Sequence, residues 1–155
     1  MLNLENVKII EFYRANDPEH GFLSNLYKKP IIFENREFSC GEYAYQFGKY
    51  RDEDTKEWAM QCPKPHLLAI LSHNLLGWDI VPHWKDIKVP RMKAVLKVKF
   101  QDPELREKLL ATGDSRLVEN SKIDSFWGKG KSGKGKNMLG KLLMKVREEI
   151  NKSEV

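Results

Sequence analysis

The chain has 155 residues, of which 41% are hydrophobic and 32% are charged, and 27 basic against 22 acidic side chains give a net charge of +5. This composition indicates a globular protein with a core of its own, and the small basic surplus favours an anionic substrate, phosphate included, without requiring nucleic acid. No apolar stretch is long enough to span a membrane and the first residues lack a signal-peptide layout, so we expect a cytoplasmic protein.

The first half of the chain has the patterns of short strands followed by a helix. Residues 7–13 resemble a buried strand, 20–27 a loop with exposed aromatic side chains, and 30–39 a β-hairpin. Ser39 followed by Glu42 is a capping-box pattern, which predicts that a helix begins there.

Two faces can be assigned on that predicted helix from its turn of about 100° per residue. One face carries an acid, an amide and an amine, which are Glu42, Gln46 and Lys49. A separate apolar face, which we expect to pack on the core, carries Tyr43, Phe47 and Tyr50.

The second half of the chain is predicted to be mainly helical. Helices are expected at 54–61, at 65–76 with Leu67, Leu68, Ile70, Leu71 and Leu75 as the apolar set, at 91–100, from Asp102 to Gly113, and at 137–150. Pro90 either starts or kinks the third of these, and "RLVE" is a short strand. The class predicted is α+β, as a single compact and mostly helical domain over 1–155, with a core of about 7–151 and a small sheet or hairpin.

The cysteine and histidine positions give little support for a metal or a disulfide. Cys40 and Cys62 are far apart in sequence, and the four histidines have no metal-binding spacing. We therefore predict neither a metal nor a cofactor.

The segment "WGKGKSGKGKN", residues 127–137, resembles a phosphate-binding loop at first sight. A P-loop requires GxxxxGK followed by Ser or Thr, and the registers starting at Gly128 and Gly130 end instead in Gly135 and Asn137. A Walker-type nucleotide site is thereby excluded. An anion cradle made of glycines, lysines and a following helix N-terminus stays open, as does a solvated loop.

A longer set of motifs resembles a known family. In order, the chain contains "GFLSNLY", "GEYAYQFGKY", Trp84-Lys88-Met92 and "LVENSKIDSFWGKGKSGKGKNMLGKLLMKVRE". This order is similar to that of the NADAR superfamily, and especially of its YbiA-like N-glycosidases, over roughly residues 9 to 150. The resemblance implies a compact α+β domain that acts on N-glycosides of ribose.

The resemblance also implies a set of site residues. Family positions that look functional fall on Glu42, Trp84, Asp124 and Trp127, and Asn25, Gln46, Lys49 and Lys88 also match. Glu42, Asp124 and Lys88 are the predicted catalytic residues. The predicted substrate-binding residues are Asn25, Gln46, Lys49, Trp84, Trp127, Gly128, Gly130 and Asn137.

The expected chemistry is cleavage of a C–N bond at an anomeric carbon, through an oxocarbenium-like cation. Two carboxylates would stabilise this cation and assist its hydrolysis by water. The tryptophans would stack on the heterocycle, Lys49 and the Lys129–Lys136 group would hold phosphate, and Lys88 would orient a carboxylate or form a Schiff base.

Each of these residues also has a structural interpretation. Glu42 would be only the capping partner of Ser39, Asp124 a turn residue, Gln46 and Lys49 a solvated face, and the tryptophans part of the core.

Three functions follow from the sequence. The first is an N-glycosidase for the phosphorylated ribosylamino-pyrimidine intermediates of early riboflavin synthesis, which the resemblance implies. The second is an ADP-ribose-directed glycosidase that removes ADP-ribose from guanine bases, or a non-catalytic module that binds NAD or ADP-ribose. The third, a basic nucleic-acid-binding domain, is disfavoured by the near balance of charges and by the lack of a known module.

Overall fold

The computed structural model describes residues 6–74 and 77–154 of the chain. Within them lie β1 Ile9–Phe12, β2 Ile31–Phe33, β3 Arg36–Phe38, α1 Gly41–Phe47, α2 Glu53–Met60, α3 Pro65–Asn74, α4 Trp84–Lys99, α5 Pro103–Ala111, β4 Arg116–Glu119 and α6 Met138–Ser153. These elements confirm the predicted α+β class, the hairpin, the RLVE strand and the amphipathic last helix.

The chain folds as two units, each of which packs mainly within itself. The central unit is Asn25–Lys99, and the terminal unit combines Met1–Ser24 with Phe100–Val155. The single domain over 1–155 stays a prediction.

The terminal unit is built around a two-stranded parallel pair. β1 lies beside β4 with Ile9 opposite Arg116 and Phe12 opposite Glu119. The last helix, α6, packs against β4, and a Cβ placed on Gly140 would lie 2.1 Å from the Leu117 carbonyl oxygen. Glycine at this position therefore allows the helix to approach the strand backbone.

Asn137 fastens the start of α6 to β4. Its side chain is buried; Oδ1 accepts a hydrogen bond from Glu119 N at 2.9 Å, and Nδ2 donates one to the Leu117 carbonyl at 2.9 Å. Its backbone is left-handed, with φ of 50°, a conformation that asparagine tolerates better than most residues. Both polar ends of this side chain are thus engaged in holding the fold.

The central unit has a hairpin and four helices. The turn of the β2–β3 hairpin consists of Glu34 and Asn35, both with positive φ (52° and 63°), as a two-residue turn requires for antiparallel strands. Behind the hairpin, a core cluster includes Ile31, Phe33, Phe38, Cys40, Tyr43, Ala44, Tyr50, Ala59, Leu68 and Val95.

The start of α1 differs from the sequence prediction. The helix begins at Gly41 with Cys40 as N-cap and no side-chain cap hydrogen bond, so the Ser39–Glu42 capping box was wrong. The helix end is held from α4, because the Arg91 guanidinium donates to the carbonyls of Ala44 (2.6 Å) and Tyr45 (3.1 Å). These carbonyls belong to the last turn of α1, where C=O groups have no hydrogen-bond donor within the helix.

The fourth helix also begins earlier than predicted. α4 starts at Trp84 and contains Pro90 in its interior, so the prediction of a start at 91 was wrong. As a result Trp84 and Lys88, four residues apart, share one face of a helix.

Burial differs from what local sequence pattern suggests in two segments. In the apolar set of α3, Leu68 is fully buried, whereas Leu67 and Ile70 are 40% and 56% exposed, and Leu75 lies outside the described residues. In the 20–27 segment, Phe22 is buried at 5% exposure instead of exposed, because it packs edge-to-face on Phe100.

We predict that Asn137→Ala lowers the free energy of unfolding by about 2 kcal/mol, since it leaves two buried backbone groups unpaired. Urea denaturation followed by circular dichroism measures this loss. Asn151→Ala, an exposed position on the same helix, serves as the control and should change stability little. Equal stability of the two variants would contradict the structural role of Asn137.

Candidate active site

The first cluster of predicted site residues surrounds the Glu42 carboxylate in the central unit. Glu42 is only 8% exposed. Asn25 Nδ2 donates to its Oε2 at 2.8 Å, and Gln46 Nε2, one turn further along α1, donates to its Oε1 at 2.8 Å. Two neutral amides thus replace water around a buried acid, and its interpretation as a capping partner of Ser39 is excluded.

A hydroxyl pair extends this network into α3. Ser72 Oγ donates to Gln46 Oε1 at 2.6 Å, and the hydroxyl of the fully buried Tyr50 is hydrogen-bonded to the same Ser72 oxygen. Lys49 Nζ lies 3.4 Å from Ser72 Oγ. The sequence did not point to Ser72, because nothing in "LAILSHN" distinguishes it from a helical surface serine.

Two lysines lie in the electrostatic field of this cluster. Burial lowers the pKa of Lys49, Glu42 opposes that shift, and the positive charge of Lys88 adds to it. Lys49 therefore interacts electrostatically with both Glu42 and Lys88. A carboxylate flanked by amines suits a ligand that carries both a developing cation and an anionic group.

Trp84 adds an aromatic surface on the same unit. Its ring packs at a tilt on the buried Tyr45, with centroids 5.3 Å apart, and the residue stays partly exposed. A ring supported from behind and open in front can stack on a heterocycle.

The second cluster lies in the terminal unit, where Asp124 organises a tight turn. Its Oδ1 accepts hydrogen bonds from the backbone N–H groups of Phe126 (2.9 Å) and Trp127 (2.8 Å). Ser121 Oγ in turn accepts one from Asp124 N at 3.0 Å. The structure therefore gives Asp124 a turn-forming role, whether or not it also acts in the reaction.

The glycine loop that follows is closed by backbone hydrogen bonds. Gly135 N donates to the Lys129 carbonyl at 2.7 Å, and Asn137 N donates to the Gly128 carbonyl at 3.0 Å. The first two N–H groups of α6, on Met138 and Leu139, donate to the Phe126 and Trp127 carbonyls at 3.0 and 3.1 Å. These helix N–H groups, which an anion cradle would use, are already taken, and the loop is held in place at both ends.

Glu119, which the sequence did not single out, packs against this loop. Its Oε2 accepts a hydrogen bond from Ser121 N at 3.1 Å, and a Cβ placed on Gly128 would lie 1.9 Å from Oε2. Burial raises the pKa of Glu119 to about 7; the Ser121 hydrogen bond opposes the shift and the nearby Asp124 adds to it. Gly128 is thus required to leave room for a carboxyl group.

The structure brings together part of the predicted site within each unit. Asn25, Glu42, Gln46 and Lys49 are close in the central unit, with Lys88 near Lys49. In the terminal unit, Asp124, Trp127, Gly128, Gly130 and Asn137 belong to one turn and loop. The substrate-binding and catalytic roles of all these residues stay predictions.

Residues 6–74 and 77–154 contain no group of three or more His, Cys, Asp or Glu side chains arranged to hold a metal ion. Among their helices, none is both long and apolar enough to cross a bilayer.

A family model described as the NADAR domain matches residues 11–151. The chain belongs to the NADAR family. The N-glycosidase YbiA of Escherichia coli strain K12 is 36% identical over 143 residues, which cover 92% of this chain and 88% of that protein. The N-glycosidase Npun_R5314 of Nostoc punctiforme is 38% identical, with 91% and 92% of the two chains covered.

Two further similarities concern the fold and a longer relative. The NMR structure of E. coli YbiA superposes with a TM-score of 0.85 at 34% identity, over 95% of this chain and 87% of that one. The riboflavin biosynthesis protein VVA0006 of Vibrio vulnificus is 38% identical over 91% of this chain but only 38% of its own length. Together the relatives confirm the suspected family and support glycosidase activity for this NADAR protein.

We predict that Glu119 makes folding stability depend on pH. Its pKa is raised from 4.5 to about 7, so the folded protein binds more protons than the unfolded chain between these values. Stability should therefore fall by on the order of 2 kcal/mol as pH rises from 4.5 to 7. Urea denaturation across this range should show a flatter profile for Glu119→Gln than for wild type. Identical slopes would show that Glu119 titrates normally.

Gly128→Ala should displace the glycine loop. The new methyl group would meet both Glu119 Oε2 and, at 2.9 Å, the Glu119 carbonyl oxygen, so backbone must move. We expect a raised KM or lowered kcat and a lower melting temperature.

Gly133→Ala is the matched control, because this residue of the same loop has φ of 76° but nothing within 4 Å of its Cβ. Its cost should be confined to about 1–2 kcal/mol of backbone strain. Unchanged kinetics for Gly128→Ala would show that the loop has only a structural role.

Proposed function

We propose that this NADAR protein is an N-glycosidase that hydrolyses phosphorylated ribosylamino-pyrimidine intermediates of early riboflavin synthesis. The activity class is supported by the named relatives in E. coli and Nostoc, and the substrate class by the Vibrio relative named as a riboflavin biosynthesis protein. The observation that carries the proposal is the Glu42 carboxylate, buried and held by two amide donors.

The reaction breaks the bond between the anomeric carbon and nitrogen. The bonding electron pair leaves on nitrogen, the oxygen of a water molecule bonds to the anomeric carbon, and one proton of that water ends on the departing nitrogen. Positive charge builds on the sugar as the bond breaks, and a fixed negative charge stabilises it.

Glu42 is suited to that role because its charge is preorganised. Each carboxylate oxygen accepts a hydrogen bond from one of the two amides. The amides carry no charge of their own, so they hold the group in place without neutralising it. An arginine in their position would cancel much of the field that the cation requires.

The remaining groups of the central unit fit the other parts of the substrate. Lys49 and Lys88 supply positive charge for a ribose phosphate, and Trp84 presents a ring face for a pyrimidine. The proposed Schiff base on Lys88 is not needed for hydrolysis by this route. Asp124, in the terminal unit, stays a predicted catalytic residue and also fixes the turn at Trp127.

Glu42→Gln tests the proposal because it removes the charge and keeps the shape. We expect kcat to fall by about 10²–10⁴-fold with the fold intact by circular dichroism, and the melting temperature to fall because the new NH₂ group faces one of the two amide donors. Released base and ribose phosphate are measured by mass spectrometry on a panel of ribosylamino-pyrimidine phosphates, NAD, ADP-ribose and ADP-ribosylated guanine. Glu37→Gln, an exposed carboxylate on β3, is the matched control and should retain full activity.

Several outcomes would contradict the proposal. Near wild-type kcat for Glu42→Gln would remove its assigned role. Release of guanine from the ADP-ribosylated base alone would replace the substrate class, and tight binding of ADP-ribose with no product would indicate a non-catalytic module. Asp124→Asn, whose amide oxygen can still accept the turn hydrogen bonds, tests whether that carboxylate acts chemically or only structurally.

A further inference from the structure

The hydrogen bonds behind Gln46 can be assigned a direction. Gln46 Oε1 can only accept, so the single proton of Ser72 must point to it. The two lone pairs of Ser72 Oγ then accept from the other neighbours, the Lys49 amine at 3.4 Å and the Tyr50 hydroxyl. Ser72, at 1% exposure, is therefore fully used as one donor and two acceptors.

The opposite orientation of the Gln46 amide is unfavourable at both ends. Its oxygen would then face Glu42 Oε1 across 2.8 Å, which is repulsive unless Glu42 is protonated. Its NH₂ group would then donate to Ser72 Oγ, the Ser72 proton would have to turn to the Tyr50 hydroxyl oxygen, and the proton of that fully buried hydroxyl would lose its acceptor among the described residues. The hydroxyl pair thus favours the one amide orientation that suits an ionised Glu42.

The hydrogen bond from Asn25, on the other side of Glu42, also fits the carboxylate form of that acid. Its Nδ2 donates to Glu42, while its buried Oδ1 accepts no hydrogen bond from the described residues. Leaving an acceptor unpaired in the interior costs about 1–3 kcal/mol. A protonated Glu42 would donate to that oxygen if the amide turned, so the observed arrangement matches the ionised acid.

From this geometry we propose that Ser72 and Tyr50 are positioning residues: they fix the Gln46 amide with its NH₂ group toward Glu42 and so hold Glu42 as a carboxylate throughout the reaction. The proposal deepens the proposed function and rests on it for its catalytic consequence. Its structural part, the coupling between the Ser72 hydroxyl and the ionisation of Glu42, can be measured without any substrate.

Other titratable groups also act on Glu42 and would respond to its charge. Cys40 and Tyr50 interact with it electrostatically, as does Lys49, on which Lys88 also acts. The charge of Lys49 favours the carboxylate as well, so loss of the Ser72 hydroxyl should weaken but not abolish its ionisation.

The test is a cycle of single and double variants at positions 46 and 72. Ser72→Ala should lower kcat about tenfold, and the acidic limb of the pH profile should move to higher pH, because a freed amide can turn and accept from protonated Glu42. Tyr50→Phe should give a smaller shift in the same direction. In a Gln46→Ala background, Ser72→Ala should change kcat by less than about twofold, since the residue through which it acts is gone.

Conservative and matched variants separate positioning from packing. Ser72→Thr keeps the hydroxyl and should restore the wild-type pH profile even if its extra methyl group lowers the melting temperature. Ser115→Ala removes another buried serine, in the terminal unit, and should leave kcat and its pH profile unchanged. The same kcat loss from Ser72→Ala in both backgrounds, with no movement of the pH profile, would overturn the proposal.

Carbon-13 NMR titration of the Glu42 side chain gives a readout that does not depend on activity. The Glu42 carboxyl should titrate at higher pH in Ser72→Ala than in wild type, whichever substrate the protein uses. If no substrate in the panel is hydrolysed but this difference is seen, the proposed function fails and the positioning role stands. Identical titration curves for wild type and Ser72→Ala would overturn the positioning role alone.

Discussion

A carboxylate can be removed from water only where other donors replace its hydration shell, and the central unit is arranged to satisfy this condition for Glu42. Asn25 at the start of the unit and Gln46 from the next turn of α1 both donate to the carboxylate, and Ser72 from α3 donates in turn to Gln46. The helix that carries Glu42 is itself held at its end by Arg91 from α4. The packing of these segments and the ionisation of one acid are therefore linked.

The terminal unit makes a different use of a carboxyl group. Glu119 lies against a loop whose glycine at 128 leaves room for it, and its neighbour Asp124 is engaged in backbone hydrogen bonds. The glycines of the loop are explained by close packing and left-handed backbone at Gly130 and Gly133, with φ of 68° and 76°. A composition rich in glycine and lysine here marks a compact turn closed by backbone hydrogen bonds, and its resemblance to a nucleotide loop is superficial.

Local patterns predicted much of this fold. The hairpin, the Asp102 N-cap of α5 and the apolar face of α6 depend on residues close in sequence, and all are present. The polar face of α1 that carries Glu42 and Gln46 was predicted for the same reason. Where α4 begins could not be predicted, because Pro90 normally ends a helical pattern and here lies inside one.

The remaining differences arise from contacts between distant segments. Ser72 lies 26 residues from Gln46, and nothing in its own segment indicates that pairing. Glu119 ends a short strand and Asn137 precedes the last helix, and the Glu119 N–H donates to Asn137 Oδ1 across 18 residues of sequence. The site residues implied by the family resemblance came from an order of motifs, which pointed to Asn25, Glu42 and Gln46 but not to Ser72.

The discontinuity of the terminal unit has a consequence for how the chain is assembled during synthesis. The parallel pair joins Ile9 to Arg116, about a hundred residues later, so β1 has no partner strand until most of the chain has been made. Residues 25–99 form a continuous unit that has all its own contacts available earlier. Because closing so long a loop is entropically costly, the order expected is a central unit that forms first and a β1–β4 ladder that closes late. The network around Glu42 would then be complete before the glycine loop exists.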